Sequence, residues 1–168
     1  VIPDRRDSIG RCVICGFSGF EYAAVLSGEL VAEWELSPAE VGYMNEQQGL
    51  CCVSCGANLR SMTLAGAVLN EFGWADTFER FCRTSRAARK QALLEINEAG
   101  TLTPFLSRFR HYTCGAYPEV DLQALPYADE SYDLVIHSDT LEHIPEPGKA
   151  IRECRRVLKR RGRLFYTI

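Results

Sequence analysis

Four of the eight cysteines form two copies of one pattern, Cys12-Val13-Ile14-Cys15-Gly16 and Cys52-Val53-Ser54-Cys55-Gly56. Each C-x-x-C-G predicts a tight knuckle that aims both sulfurs at one ion, with glycine taking the positive φ such turns need. Two knuckles complete a tetrahedral four-thiolate set, and four sulfurs leave no open position for catalysis. The expected ion is therefore a structural Zn2+ on Cys12, Cys15, Cys52 and Cys55. No export signal is visible, which places metal ligation ahead of disulfides. A single pair would equally suit redox-active thiols, and the duplication argues against that reading. Cys51 adjoins Cys52 as an alternative ligand; Cys82, Cys114 and Cys154 stand alone and read as small apolar core residues.

A second polar set, His137, Ser138, Asp139, Thr140, Glu142 and His143, follows the apolar run Tyr132 to Ile136. That run reads as a strand buried on both faces of a parallel sheet. Open α/β sheets bind ligands at the carboxyl ends of their strands, which is where these polar groups fall. Asp139, Glu142 and His143 also have the i, i+3, i+4 spacing of oxygen and imidazole ligands on one helical face. For His143 a general base and a purely structural support of the loop are the other roles open to it.

Several ordered blocks carry a resemblance. Leu125-Pro126-Tyr127-Ala128-Asp129-Glu130-Ser131-Tyr132-Asp133-Leu134-Val135, then Leu141-Glu142-His143-Ile144, then Arg155-Arg156-Val157-Leu158-Lys159 resemble the LPF-x-D-x-SFD-x-V, LEH-V and RVLKPGG blocks of class I S-adenosylmethionine-dependent methyltransferases of the type 11 kind. The resemblance runs from about Leu93 to Ile168. It implies a Rossmann-like three-layer α/β sandwich with a mostly parallel sheet, and S-adenosyl-L-methionine as cofactor. By the same resemblance Leu93 to Gly100 takes the place of the strand and glycine loop that hold the cofactor. Glu95 is the acid that organises the loop or the methionine ammonium, with Asn97, Ala99 and Thr101 at the glycine positions and Gly100 between them. Ala and Thr tolerate positive φ poorly, and Asn tolerates it best of the three. Asp121 matches the acid beside the adenine, Leu122 the residue packing on its ring, and Ser138 the residue nearest the cofactor. Ala116 cannot supply the ribose-binding carboxylate, which leaves Glu119 as its substitute. His143 is the candidate catalytic base, and Arg160-Arg161-Gly162 replaces the usual Pro-Gly-Gly turn.

Three parts must position these groups: a zinc module over residues 1–75 resembling a treble clef or ribbon, a connecting helix over 76–92, and a partial methyltransferase domain over 93–168. Phe20 to Leu26 and Leu30 to Leu36 predict a hairpin about Ser27-Gly28. Ser37-Pro38-Ala39-Glu40 is a capping box that starts a helix from Pro38 to Gln48, ending at Gly49. Leu59, Met62, Gly66 and Leu69 recur at helical spacing after the second knuckle. Asp76 to Gln91 predicts the connecting helix, with Phe78, Phe81 and Cys82 inward. Strands are expected near Leu93, Arg110, Val120, Tyr132 and Leu164. A helix with Ile151, Cys154 and Leu158 inward should present Lys149, Arg152, Arg156 and Lys159 to solvent. The chain stops in the strand-like run Leu164 to Ile168, so the sequence reads as C-terminally truncated, with a natural short form as the alternative.

The formal charge of -3 and 46% hydrophobic content give no support for a nucleic-acid binder. No apolar run reaches the roughly 18 to 20 residues of a membrane span, and a cytoplasmic location is the default expectation. The expected function is methyl transfer from S-adenosylmethionine to a small-molecule or glycan-linked acceptor. A degenerate methyltransferase fold acting as a zinc-containing partner-binding module is the alternative. A dinucleotide oxidoreductase is disfavoured because no G-x-G-x-x-G follows a strand.

Overall fold

The computed structural model describes residues 10–168. Its first part is built from the two knuckles, which repeat one geometry. Gly16 (φ 84°) returns its N–H to the Cys12 carbonyl at 2.7 Å, and Gly56 (φ 69°) returns its own to Cys52 at 2.8 Å. Both turns need the left-handed region that glycine enters without a Cβ clash. Between them, β1 (Phe20–Tyr22) pairs antiparallel with β2 (Leu50–Cys52), Phe20 opposite Cys52. The second knuckle then leads into a helix.

The expected hairpin about Ser27-Gly28 does not form. Ser27 caps a short helix, α1 (Gly28–Glu33), its Oγ accepting the Leu30 N–H at 3.2 Å. A capping serine and an acid in the first turn favour the helix over a turn between strands, and the true partner of Phe20–Tyr22 lies about thirty residues on. α2 (Pro38–Gln48) starts at the expected capping box, with Ser37 Oγ accepting the Glu40 N–H and the Glu40 carboxylate accepting the Ser37 N–H. Neither α1 nor α2 buries a residue.

α3 (Leu59–Glu71) is capped by Asn58 and buries Met62, Leu64, Ala65, Val68 and Leu69. The single connecting helix is instead two, α4 (Phe78–Thr84) and α5 (Arg86–Arg89), broken at Ser85. Ser85 ends the first with an extended backbone (ψ 115°) and caps the second by accepting the Ala88 N–H. A serine that satisfies the next helix's orphan N–H stabilises the break.

The main sheet holds β3 (Ala92–Ile96), β4 (His111–Gly115), β5 (Tyr132–Ser138) and β6 (Leu158–Thr167), in the order β4-β3-β5-β6 and parallel throughout. Between β3 and β4 lies α6 (Thr103–Leu106), and α7 (Pro147–Val157) precedes β6. The expected strand at Val120 is absent. The Val120 N–H bonds the Ala116 carbonyl, and Asp121 Oδ1 accepts the Gln123 N–H at 2.8 Å. These local turn bonds occupy the groups a ladder would need.

Alternation along the strands fixes the layers. Leu93, Leu134 and Ile136 face α3 and α4, whereas Leu94, Ile96 and Val135 face Ala150, Cys154 and Val157 of α7. The result is a three-layer, Rossmann-like α/β sandwich. Cys12, Ile14, Cys52 and Ala57 belong to the same apolar cluster as Leu93, Leu134 and Ile136. The knuckles therefore share their core with the sheet. Among the described residues no helix is long and apolar enough to cross a membrane.

Candidate functional site

The four cysteines of the two knuckles converge, with all four Sγ atoms within 4.8 Å of one another. Cys12 Sγ lies 3.7 Å from Cys55 Sγ and Cys15 Sγ lies 3.6 Å from Cys52 Sγ. Disulfide sulfurs stand about 2.05 Å apart, so these are not bonded pairs. Four thiolates at about 2.3 Å from one tetrahedral ion would stand about 3.8 Å apart, which these spacings fit. Backbone N–H groups of each knuckle point at its first sulfur. At Cys52 burial works to raise the thiol, but the amides of Cys55 and Ser54 and the neighbouring thiols outweigh it and lower it. Burial pushes the Cys12 and Cys55 thiols up. A divalent ion would favour the thiolate form at all four positions.

Cys51 stays outside this quartet, as successive residues of β2 face opposite ways. Cys82 and Cys154 are buried thiols, each pushed by burial to about 12, whereas Cys114 is exposed on the edge strand β4 and is not a core residue. Asp139, Glu142 and His143 do not assemble a metal site: among the described residues the cysteine quartet is the one such cluster. Leu141–His143 is a single 3-10 turn, and Asp139 stands before it with φ 47°.

A cavity of about 520 Å³ opens at the carboxyl ends of the parallel strands, lined by Asn97, Asp121, Leu122, Thr140, His143 and Ile144 among others. That volume lies in the small-molecule range of about 300–1,000 Å³. Three of the expected cofactor residues, Asn97, Asp121 and Leu122, thus meet in one place, together with His143. Glu95 lies behind them, fully buried. Its carboxylate accepts the Ala99 N–H, the Thr103 hydroxyl and the Tyr112 hydroxyl, each at 2.6 Å. It organises the loop and does not line the cavity. Burial and then the Glu95 carboxylate hold the Tyr112 phenol above its usual range, so it remains a donor.

The glycine-poor loop keeps a left-handed backbone at Asn97 (φ 56°), Glu98 (φ 53°) and Gly100 (φ 59°). Asn97 anchors it by accepting the Tyr117 N–H at 2.8 Å. Ala99 sits at φ −80°, so the Cβ there does not conflict with the backbone. Gly100 turns towards α3, away from the cavity lining. Ser138 is also displaced: its hydroxyl lies 2.7 Å from that of Thr167 on β6, so it pairs two strands instead of facing the cavity. Glu119 is exposed and does not line the cavity.

Arg156 is not a solvated cation. It donates to the Leu125 and Tyr127 carbonyls at 2.9 and 2.7 Å and to the carboxylates of Asp129 and Glu153. One helix residue thereby clamps the segment that follows Asp121 and Leu122, which gives a physical reason for the two sequence blocks to occur together. Lys159 likewise pairs with Asp133 at 2.8 Å. Sequence reasoning missed Tyr117, Gln123 and Ile144 in the lining. Their positions follow from turns without periodic signal.

His137 is fully buried and, among the described residues, neither ring nitrogen has a hydrogen-bond partner; its ring stacks on Tyr166 at 5.2 Å. Burial lowers its pKa to about 4. An imidazole held neutral in the folded state contributes stability above its unfolded pKa of about 6.5, and this is lost as pH falls towards 4. Thermal melts should show up to about 3 kcal/mol lost across that window. His137→Leu should flatten the profile, and an unchanged pH profile in that variant would contradict the assignment.

Over residues 52–166 the sequence matches the family described as methyltransferase domain. Similar proteins include a ubiquinone biosynthesis O-methyltransferase of Saccharophagus degradans (24% identity over 84% of this chain and 54% of the relative) and one of Coxiella burnetii (24%, 79% and 50%). The chain spans about half the length of these relatives. A solved SAM-dependent methyltransferase from Aquifex aeolicus overlaps with TM-score 0.34 at 16% identity, covering 55% of this chain and 66% of that one. The trans-methyltransferase CalH in complex with SAH overlaps with TM-score 0.41 at 17% identity, over 81% and 43%.

A parallel sheet with helices on both faces and a cleft at its carboxyl ends is the setting in which open α/β folds bind their ligands. With the match over residues 52–166, the chain belongs to the class I S-adenosylmethionine-dependent methyltransferases.

Proposed function

We propose that the protein transfers a methyl group from S-adenosylmethionine to a small-molecule or glycan-linked acceptor. The observation that carries this reading is the convergence of Asn97, Asp121, Leu122 and His143 on one cavity at the strand ends. The residues present suit the cofactor: Asp121 offers a carboxylate for an exocyclic amine, Leu122 an apolar face for a purine ring, and the left-handed loop at Asn97 a close backbone approach. When bound, the cofactor supplies an electrophilic methyl on a sulfonium. The chain's part is then to position, since in-line displacement gains most from fixed geometry. Thr140 and His143 lie on the wall formed after β5, and the exposed His143 imidazole is the group able to take a proton from an acceptor hydroxyl. The O-methyltransferases among the similar proteins favour an oxygen acceptor.

The four cysteines hold a structural Zn2+ in this proposal, with residues 1–75 as its module, 76–92 as the connection and 93–168 as the catalytic part. Calorimetric titration with S-adenosylhomocysteine should give saturable binding, weakened at least tenfold by Asp121→Ala. Absence of binding in the wild-type chain would favour the partner-binding module, and binding of NAD in its place would favour an oxidoreductase.

A further inference from the structure

The first turn of α3 touches both loops that form the cofactor cleft, although it arises from the cysteine knuckles. Asn58, three residues after Cys55, caps the helix by accepting the Ser61 N–H at 2.9 Å, and it also bridges to Cys51 of β2. The side chain of Ser61 is then free to face the loop after β3. Ser61 is 2% exposed, and its Oγ accepts the Thr101 N–H at 3.4 Å. A Cβ at Gly100 would come within 2.9 Å of that Oγ, so the glycine permits both the left-handed backbone (φ 59°) and the close approach of the helix.

The preceding residue, Arg60, forms an ion pair with Asp139 in the loop after β5. Asp139 lines the cavity and holds a left-handed backbone (φ 47°). That conformation is costly for a non-glycine residue and persists only where surrounding contacts fix it. The Asp139 N–H donates to the Thr167 carbonyl, and Arg60 pairs with its carboxylate.

We infer that Arg60 and Ser61 are positioning residues for the cofactor cleft, by which the knuckle-anchored helix sets the spacing between the loop at Asn97–Thr101 and the loop at Asp139–His143. The inference rests on the proposed methyltransferase reading for the cleft's occupant, but the spacing itself is a property of the chain. Arg60 acts through Asp139 and Ser61 through the Thr101 amide.

The test combines two readouts on the full chain, in variants whose zinc content and circular dichroism match wild type. Arg60→Ala should weaken S-adenosylhomocysteine binding about fivefold, the effect of a half-exposed ion pair of about 1 kcal/mol. Arg60→Lys should restore most of it, as should Arg60→Asp combined with Asp139→Arg. In the second readout, amide hydrogen exchange should accelerate at 139–143 in Arg60→Ala and at Thr101 in Ser61→Ala, with the knuckle amides unchanged. Wild-type affinity in Arg60→Ala, or failure of both restoring variants, overturns the inference. So does exchange that quickens along all of α3, which would mark a structural role alone. If the wild-type chain binds no S-adenosylhomocysteine, the methyltransferase reading fails, and exchange at the two loops still decides whether the helix sets their spacing.

Discussion

Chelating the proposed Zn2+, or replacing Cys52 by alanine, is expected to unfold the whole described chain in one transition, not the knuckle region alone. Structural zinc sites contribute folding free energy directly, with apparent binding of about 10–16 kcal/mol in zinc-finger peptides, comparable to the entire stability of a domain. The consequence extends to the sheet because Cys12, Ile14 and Cys52 are packed in one cluster with Leu93, Leu134 and Ile136. Phe78 and Glu79 of α4 also donate their N–H groups to the Val13 and Ile14 carbonyls of the first knuckle, at 2.9 and 3.0 Å. Loosening the knuckle therefore exposes the apolar layer over β3 and β5. Thermal melts followed in parallel by far-ultraviolet circular dichroism and by tryptophan fluorescence from Trp34 and Trp74 should shift together on adding a chelator. Two separated transitions, with the sheet melting as before, would contradict this coupling.

The second large effect is expected at Glu95. Its carboxylate is the shared acceptor for Ala99, Thr103 and Tyr112, and it has no contact with solvent. Glu95→Ala removes the acceptor of all three donors; the buried Ala99 N–H costs about 1–3 kcal/mol without a partner, whereas the partly exposed Thr103 and Tyr112 hydroxyls cost less, so a loss of about 2–4 kcal/mol follows. The loop that places Asn97 loses its internal acceptor at the same time, and S-adenosylhomocysteine binding should vanish. Glu95→Gln should be much milder. Its amide oxygen can keep the Ala99 and Thr103 bonds, and the Tyr112 hydroxyl can rotate to accept from the amide nitrogen. Urea denaturation of the two variants separates these outcomes; equal destabilisation by alanine and glutamine would show that charge, not hydrogen-bond acceptance, is what the site requires.

Much of this protein was legible from local pattern. The knuckles follow from cysteine spacing and a glycine at φ above zero, α2 from the capping box at Ser37 and Glu40, and β5 from an apolar run bounded by turns. Each depends on neighbours a few residues apart, so sequence alone determines it. The family blocks likewise located Asp121, Leu122 and His143 at one cleft.

What the tertiary structure decided are the outcomes in which distant groups compete. Leu30–Leu36 carries a β-like composition, yet Phe20–Tyr22 found its partner at Leu50–Cys52 and left Ser27 to cap a helix. Ser138 turned to Thr167 across the β5–β6 pair, where a buried hydroxyl finds its partner. Arg60 met Asp139 across 79 residues of chain, a pairing with no local signature. Hydrogen-bond satisfaction and core sharing are summed over the folded molecule, and only the fold brings those partners within reach.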